Sequence, residues 1–400
     1  MKVKIEKLDH FGRGIVWCDD KICFIPDCLP GEVVDIEIVL KKKKYMIGKV
    51  NKYIEISSDR IIPKCEYYSS CGGCSLMHLN YEKENEFKYQ KVCELVSKFT
   101  DYDSSVVRKC VFDDELYYRN KIVLHSDKSK FGLYEENSNT LVPIDECLLV
   151  NKKINKIIKY LTKFYSASKI SNVMIRTGNE TDEVMLSVDG EVKDLTSLLE
   201  LVDVLVVNDK VITKEDRITS IIGNKKYLVS SKSFFQVNTC ITKKMYDLVY
   251  DIVKEKQSRN VLDLYCGTGT IGIYISDLVD NVLGIEVVRE AIMDANVNKK
   301  INKCDNVSFM VGKVENVIHT IKKDFDTIIV DPPRSGLDSK VIDSIFKIKP
   351  KTLVYVSCDP TTLMRDINLL SDKYEVDYIK PFNMFPRTYH VECVCVMKVK

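Results

Sequence analysis

At 400 residues the chain exceeds one typical domain of ~150 residues and predicts two or three. Apolar residues at 45% and charged residues at 30% exclude long disorder, collagen-like repeats and a small disulfide scaffold. Lys plus Arg number 60 against 58 Asp plus Glu, so a net charge of +2 leaves nucleic-acid binding to local patches.

No run reaches the ~18 apolar residues of a membrane helix. The opening M-K-V-K-I-E-K-L has no apolar leader core, which predicts no signal peptide and a cytoplasmic chain. Without an export signal, 15 cysteines point to thiols or metal ligands rather than disulfides.

The first sixty residues read as short strands with tight turns, the pattern of a small OB-type barrel. In V-V-D-I-E-I-V at 33–39, Val34, Ile36 and Ile38 share one face. A second strand is expected over 45–54, and Lys41 to Lys44 form the loop between the two. That lysine run is either a solvated hairpin tip or a phosphate contact. Residues 61–80 read as an irregular loop holding Cys65, Cys71 and Cys74 around Gly72 and Gly73, and 81–99 as a helix. Strands and helices mix from about 101 to 240. Within 151–170, Ile154, Ile157, Ile158, Leu161 and Tyr165 fall at helical spacing behind Asn151 as cap. The six lysines of that stretch make either a solvated basic face or a phosphate-contacting one.

From 259 onward the chain alternates. Strands are expected at 260–265, 281–286, 325–330 and 352–357, with helices at 288–300 and 338–347 between them. This predicts a doubly wound parallel sheet. Tyr374 to Lys380 and Val391 to Val399 follow without an intervening helix, so the end of the sheet is antiparallel.

Gly267, Gly269 and Gly272 match G-x-G-x-x-G at a strand-to-helix turn, where backbone amides can approach a ligand closely. Glu286 ends the next strand, 23 residues after Asp263, and can accept from ribose hydroxyls. A nicotinamide dinucleotide and S-adenosylmethionine both suit this loop. The D-P-P-R-S-G at 331–336 favours S-adenosylmethionine, because D-P-P loops recur in methyltransferases acting on bases. Cys358, in V-S-C-D-P, follows a strand directly and so sits at the carboxyl edge with Asp331. If the final strand lies beside it, Glu392 faces the same pocket.

A thiol and a carboxylate at one edge suit methylation of carbon 5 of uracil. Thiolate addition to carbon 6 makes carbon 5 nucleophilic, and a base then removes the carbon 5 proton so that the thiol can leave. Cys358 fits the first role and Glu392 the last. Cys393 and Cys395 point to the opposite face from Glu392 and read as core, while Cys266 lies in the glycine loop.

With D-P-P-R-S-G, S-C-D-P and F-P-R-T-Y-H-V-E at 385–392 in place, the chain resembles the RNA 5-methyluridine methyltransferases. The likeness is to the bacterial 23S ribosomal RNA branch, with a TRAM domain and an iron–sulfur cluster. It implies Cys358 as nucleophile and Glu392 as proton acceptor. It implies cofactor contacts from Gln236, Tyr265, Glu286 and Asp331. It also implies a 4Fe-4S cluster on Cys65, Cys71, Cys74 and a distant fourth ligand, Cys147, with Cys93 and Cys110 as the other candidates for that place. Spacing alone allows zinc as well. Asn383 and Arg387 depart from the family's usual Asp and His.

The expected architecture is therefore α/β, in three parts. Residues 1–58 form an OB-like TRAM RNA-binding barrel. Residues 59–240 form a central α+β domain with the cluster loop. Residues 241–400 form a Rossmann-like methyltransferase sheet, parallel with an antiparallel last strand. The expected partner is 23S ribosomal RNA or, alternatively, transfer RNA, with no membrane and no obligate protein partner. An iron–sulfur dinucleotide oxidoreductase is the rival class.

Overall fold

The structure, a computed structural model, describes residues 1–18, 20–321 and 324–400. The N-terminal strands form one six-stranded sheet that runs from Lys2–Lys4 to Tyr45–Glu55. Its core gathers Ile5, Val16, Cys23, Ile25, Val34, Ile36 and Met46. Ile38, expected on the buried face with Val34 and Ile36, is 38% exposed. The strand Val33–Lys41 outruns the barrel, and pairing irregularities between Asp35 and Ile36 and between Ile38 and Leu40 turn its end into solvent. The lysine run is the tip of this hairpin.

A seven-stranded sheet spans Lys121–Ser126 to Lys210–Val211. Behind it packs the helix Lys152–Phe164, capped by the Asn151 side chain on the Lys153 N–H at 2.9 Å. Ile154, Ile157, Ile158 and Leu161 are buried as expected, but the helix stops at Phe164. Tyr165 is already extended, and its N–H closes the last turn on Leu161.

The C-terminal sheet has seven strands, which lie in the order 3-2-1-4-5-7-6 by chain position. Asn260–Leu264, Asn281–Glu286, Val307–Val311, Thr327–Val330 and Thr352–Ser357 are parallel. Glu392–Val399 inserts antiparallel between Thr352–Ser357 and Tyr374–Phe382. The strand Val307–Val311 is an addition to the sequence reading. It is an edge strand with only Val307 buried, so it carries little apolar signal.

The two faces of this sheet serve different cores. Val261, Ile329, Val354, Val394 and Val396 join Met174, Met185 and Tyr227 from the chain before 240. Leu262, Leu264, Ile328, Tyr355, Cys393 and Cys395 join Val92, Leu95 and Val96 of the helix Tyr81–Phe99. That helix therefore packs on the C-terminal sheet. The segment that follows it lies along the outer edge strand, where the Arg108 N–H donates to Ile379 O at 2.8 Å and the Val111 N–H to Pro381 O at 2.9 Å. The edge is thereby covered. Among the described residues no helix is long and apolar enough to cross a membrane.

Candidate active site

In an open α/β sheet the ligand crevice lies outside the carboxyl ends of the strands, where the strand order reverses. Here that point is between Asn260–Leu264 and Thr327–Val330. Tyr265, Gly267 and Gly269 all take positive φ, +62°, +53° and +74°, and wind the chain into a cradle of N–H groups. A Cβ on Gly269 would sit 2.4 Å from the Phe309 ring, so the close approach requires glycine. The Glu286 carboxylate accepts from the Gly267 N–H at 3.2 Å and the Val288 N–H at 2.8 Å, which ties the acid to the loop.

The cavity at this point is lined by Gln236, Tyr265 and Asp331, together with Phe234, Phe235, Tyr246, Asp263, Cys266 and Thr268. Glu286 stands at its rim through Gly267. Burial, reinforced by Asp331, pushes the Asp263 carboxyl up to about 8, and burial alone pushes Asp331 up to about 7. One oxygen of Asp263 is buried with no hydrogen-bond partner. Buried carboxylates in this state favour a cationic occupant, because a positive charge offsets the desolvation of their ionised forms. The sulfonium and ammonium of S-adenosylmethionine meet that demand. Phe234, Phe235 and Tyr246 enter the lining unassigned from sequence, although the two phenylalanines directly precede Gln236.

Cys358 sits at a corner fixed on both sides. The Ser357 hydroxyl donates to Asp359 O at 3.0 Å, and the Asp359 carboxylate caps the helix Pro360–Leu370 on the Thr361 N–H at 2.8 Å. The S-C-D-P motif is thus a strand end, a thiol, a helix cap and a first-turn proline in succession. Ser357 pairs with Cys393 across the ladder, so the next register position sets Cys358 opposite Glu392. The strand adjacency that sequence left open exists. Asp331 directly follows the neighbouring strand Thr327–Val330, bringing thiol and two carboxylates to one edge.

Burial pushes the Cys358 thiol up to about 11, with Glu392 and Asp331 raising it further and Arg334 opposing them. Burial also pushes Glu392 up to about 8, helped by Asp331 and opposed by Arg334. Arg334, exposed and without a hydrogen bond or ion pair among the described residues, is the cation that faces this group.

A second cavity, about 400 Å³, is lined by Cys65, Cys71, Cys74 and Cys147 together. Cys93 packs in the core beside Val92 and Leu95, and Cys110 lies near Lys88; neither lines this chamber. Gly72 allows the loop to close: a Cβ there would meet the Glu136 N–H at 2.6 Å. The Gly73 N–H donates to Cys71 Sγ at 3.4 Å. Among the described residues no His, Cys, Asp or Glu group is arranged as a ready metal-ion site. The four thiols lie on one chamber, and a set of four thiolates is a donor set that suits zinc or an iron–sulfur cluster.

The model of the tRNA (uracil-5-)-methyltransferase family matches residues 204–400, and that of the TRAM domain matches residues 1–51. An uncharacterised RNA methyltransferase of Clostridium acetobutylicum is 34% identical, over 99% of this chain and 96% of its own. Another, of Halalkalibacterium halodurans, is 33% identical over 100% and 97%. The chain belongs to the RNA uracil-5-methyltransferase family. The methyltransferase also resembles, at 28% identity and a TM-score of 0.82 over 99% of both chains, the Pyrococcus abyssi tRNA (uracil-54, C5)-methyltransferase solved with S-adenosyl-L-homocysteine. It is an S-adenosylmethionine-dependent RNA methyltransferase of α/β fold, with an N-terminal TRAM domain. The dinucleotide oxidoreductase reading falls away with this family membership.

Proposed function

We propose that this enzyme methylates carbon 5 of a uridine in 23S ribosomal RNA, with Cys358 as nucleophile and Glu392 as the final base. The observation that carries the reaction is the ladder register that sets Cys358 opposite Glu392 beside Asp331. Cys358 loses its proton and its sulfur bonds to carbon 6; the electrons of the 5,6 double bond pass to the carbonyl oxygen at carbon 4. Arg334 and the N-terminus of the helix Pro360–Leu370 are the groups on hand to favour the thiolate. When bound, S-adenosylmethionine supplies the methyl group that carbon 5 takes. The Glu392 carboxylate then accepts the carbon 5 proton, the double bond reforms, and the Cys358 thiolate is expelled.

Gln236, Tyr265, Glu286 and Asp331 are the residues we assign to hold the cofactor, the acids offsetting its positive charge. We assign Cys65, Cys71, Cys74 and Cys147 to a 4Fe-4S cluster. When bound, the cluster supplies a structural cross-link between the loop after residue 61 and the turn at Cys147. The division at 1–58, 59–240 and 241–400 remains our proposal for the functional units, with the first as an RNA-binding part.

Transfer RNA is the second reading. The Pyrococcus abyssi enzyme, which by its description acts on transfer RNA, shares the architecture from end to end. Mapping 5-methyluridine in ribosomal and transfer RNA from cells with and without the gene separates the two. Loss of a 23S site supports the first reading, and loss confined to transfer RNA replaces it.

A further inference from the structure

Glu392 is the first residue of its strand, so its position depends on the loop 383–391 that delivers it. This loop carries a cost. Arg387 takes φ +69°, a conformation that L side chains avoid and that persists only where surroundings enforce it. The enforcement comes from the helix Tyr81–Phe99, and it is buried. The Lys88 ammonium, with 0% of its side chain exposed, donates to Asn383 Oδ1 at 2.5 Å and to Phe385 O at 3.0 Å. It pairs with Glu84, also 0% exposed, at 2.9 Å. Glu84 Oε1 accepts from Asn383 Nδ2 at 3.1 Å and from the Arg387 N–H at 2.9 Å. Asn383 Nδ2 also donates to Asn85 Oδ1 at 2.7 Å, and Lys91 Nζ to Tyr389 O at 3.0 Å.

The other side of the loop is gripped by the segment just after Cys74. The Ser75 and Leu76 N–H groups both donate to Arg387 O at 3.0 Å, and the Tyr389 N–H donates to Ser75 Oγ at 3.0 Å. The first residue of the loop, Asn383, follows Phe382, and Phe382 pairs with Glu392 across the neck of the hairpin. The network therefore fixes both ends of the turn that presents the carboxylate. It touches neither the cofactor cavity nor Cys358.

A buried ion pair is a poor source of stability, since hydrophobic residues of the same volume often do as well. Its use lies in specifying one arrangement of the groups bonded to it. We propose that Glu84, Lys88 and Asn383 are positioning residues, which hold the loop 383–391 so that the Glu392 carboxylate reaches the carbon 5 proton. The proposal rests on the reading of Glu392 as the final base. Glu84 and Lys88 act at the last chemical step, and Cys358 addition and methyl transfer do not need them.

The test separates the two phases of one turnover. Single-turnover assays with labelled cofactor and a uridine-containing RNA follow methyl transfer into covalent protein–RNA adduct, and then release of free methylated RNA. The variants are the charge-free double Glu84→Gln, Lys88→Met and the single Asn383→Ala, each checked for fold by circular dichroism and for cofactor affinity by calorimetry. We expect methyl transfer within about threefold of the parent and adduct resolution slowed at least tenfold. A proportional fall in both phases, or resolution at the parent rate, overturns the proposal. If the double variant does not fold, Asn383→Ala decides alone. Glu392→Gln is run beside them. If Glu392→Gln gathers no adduct, the base reading has failed and this proposal with it; if it does and the positioning variants do not, only the positioning has failed.

Discussion

Cys358 and Glu392 owe their meeting to a backbone ladder, whereas Cys65, Cys71, Cys74 and Cys147 meet on irregular chain. In the first case the register Ser357 to Cys393 leaves no freedom: a one-residue slip would turn Glu392 away from the thiol. In the second, four sulfurs on irregular chain line a chamber closed on its other side by the strand residues Ile122, Val123 and Leu133, and no ladder register relates the four. The two sites differ accordingly in what they need from an occupant. The sheet edge is built before the cofactor arrives. Four thiolates on one chamber would hold like charges together, which a bound cation or cluster would offset. The loop 383–391 joins the two, being held by Ser75 next to Cys74 and ending at Glu392.

The sharpest way to separate the regions is to remove one sulfur from each. Cys358→Ala should abolish methylation, by roughly 10⁴-fold or more, with fold and cofactor binding kept, as for removal of a covalent nucleophile. Residual turnover near the parent rate would move the role to another thiol, and Cys266 in the cofactor cavity would be tested next. Cys71→Ser should act differently. Anaerobically purified parent should be brown and contain iron, and the variant should lose both and melt several degrees lower while still binding cofactor. A colourless, zinc-loaded and fully active parent would contradict the cluster assignment.

A smaller effect tests the charge logic of the sheet edge. Asp263 and Asp331 have folded pKa values raised to about 8 and about 7. In the ligand-free protein, stability from these groups is fully present below their unfolded values near 4 and is lost as pH rises through 7 to 8. A cationic cofactor favours their ionised forms. Its affinity should therefore rise with pH between 6 and 8, by up to about tenfold per unit for each group that ionises. Calorimetry in buffers of different ionisation enthalpy should show proton release on binding. Affinity that is flat or falls with pH would mean these acids do not face the cofactor's charge. The smallest effect belongs to the barrel. If Lys42, Lys43 and Lys44 reach phosphates, neutralising them should flatten the log–log salt dependence of RNA affinity by about three units. An unchanged slope would make the run a solvated hairpin tip.

The difference between the regions also explains what was legible in the sequence. Cys358, Asp331, Glu286 and the glycine loop each sit where a strand ends and a turn or helix begins, and such corners are written in consecutive residues. The adjacency of Cys358 and Glu392 was not, because a helix and a further strand separate the two ladder partners along the chain. Cys147 reached the cysteine list through resemblance, since nothing in I-D-E-C-L marks a ligand. Glu84 and Lys88 were invisible for a different reason. At i and i+4 in Y-E-K-E-N-E-F-K they read as an ordinary solvent-facing pair. Only the packing of the helix against the C-terminal sheet buries them, and the Asn383 and Arg387 side chains meet them there, Asn383 Oδ1 at the Lys88 ammonium and the Arg387 guanidinium 3.5 Å from Glu84.

The central claim is that thiol and carboxylate act at opposite ends of one covalent cycle, and trapping that cycle half-way tests it most directly. Glu392→Gln, given RNA and labelled cofactor and run on a denaturing gel, should accumulate a methylated protein–RNA species with little free product, because the carbon 5 proton stays in place. The species should be absent from the Cys358→Ala, Glu392→Gln double variant. Free 5-methyluridine released by Glu392→Gln at the parent rate, or an adduct that survives without Cys358, would contradict it.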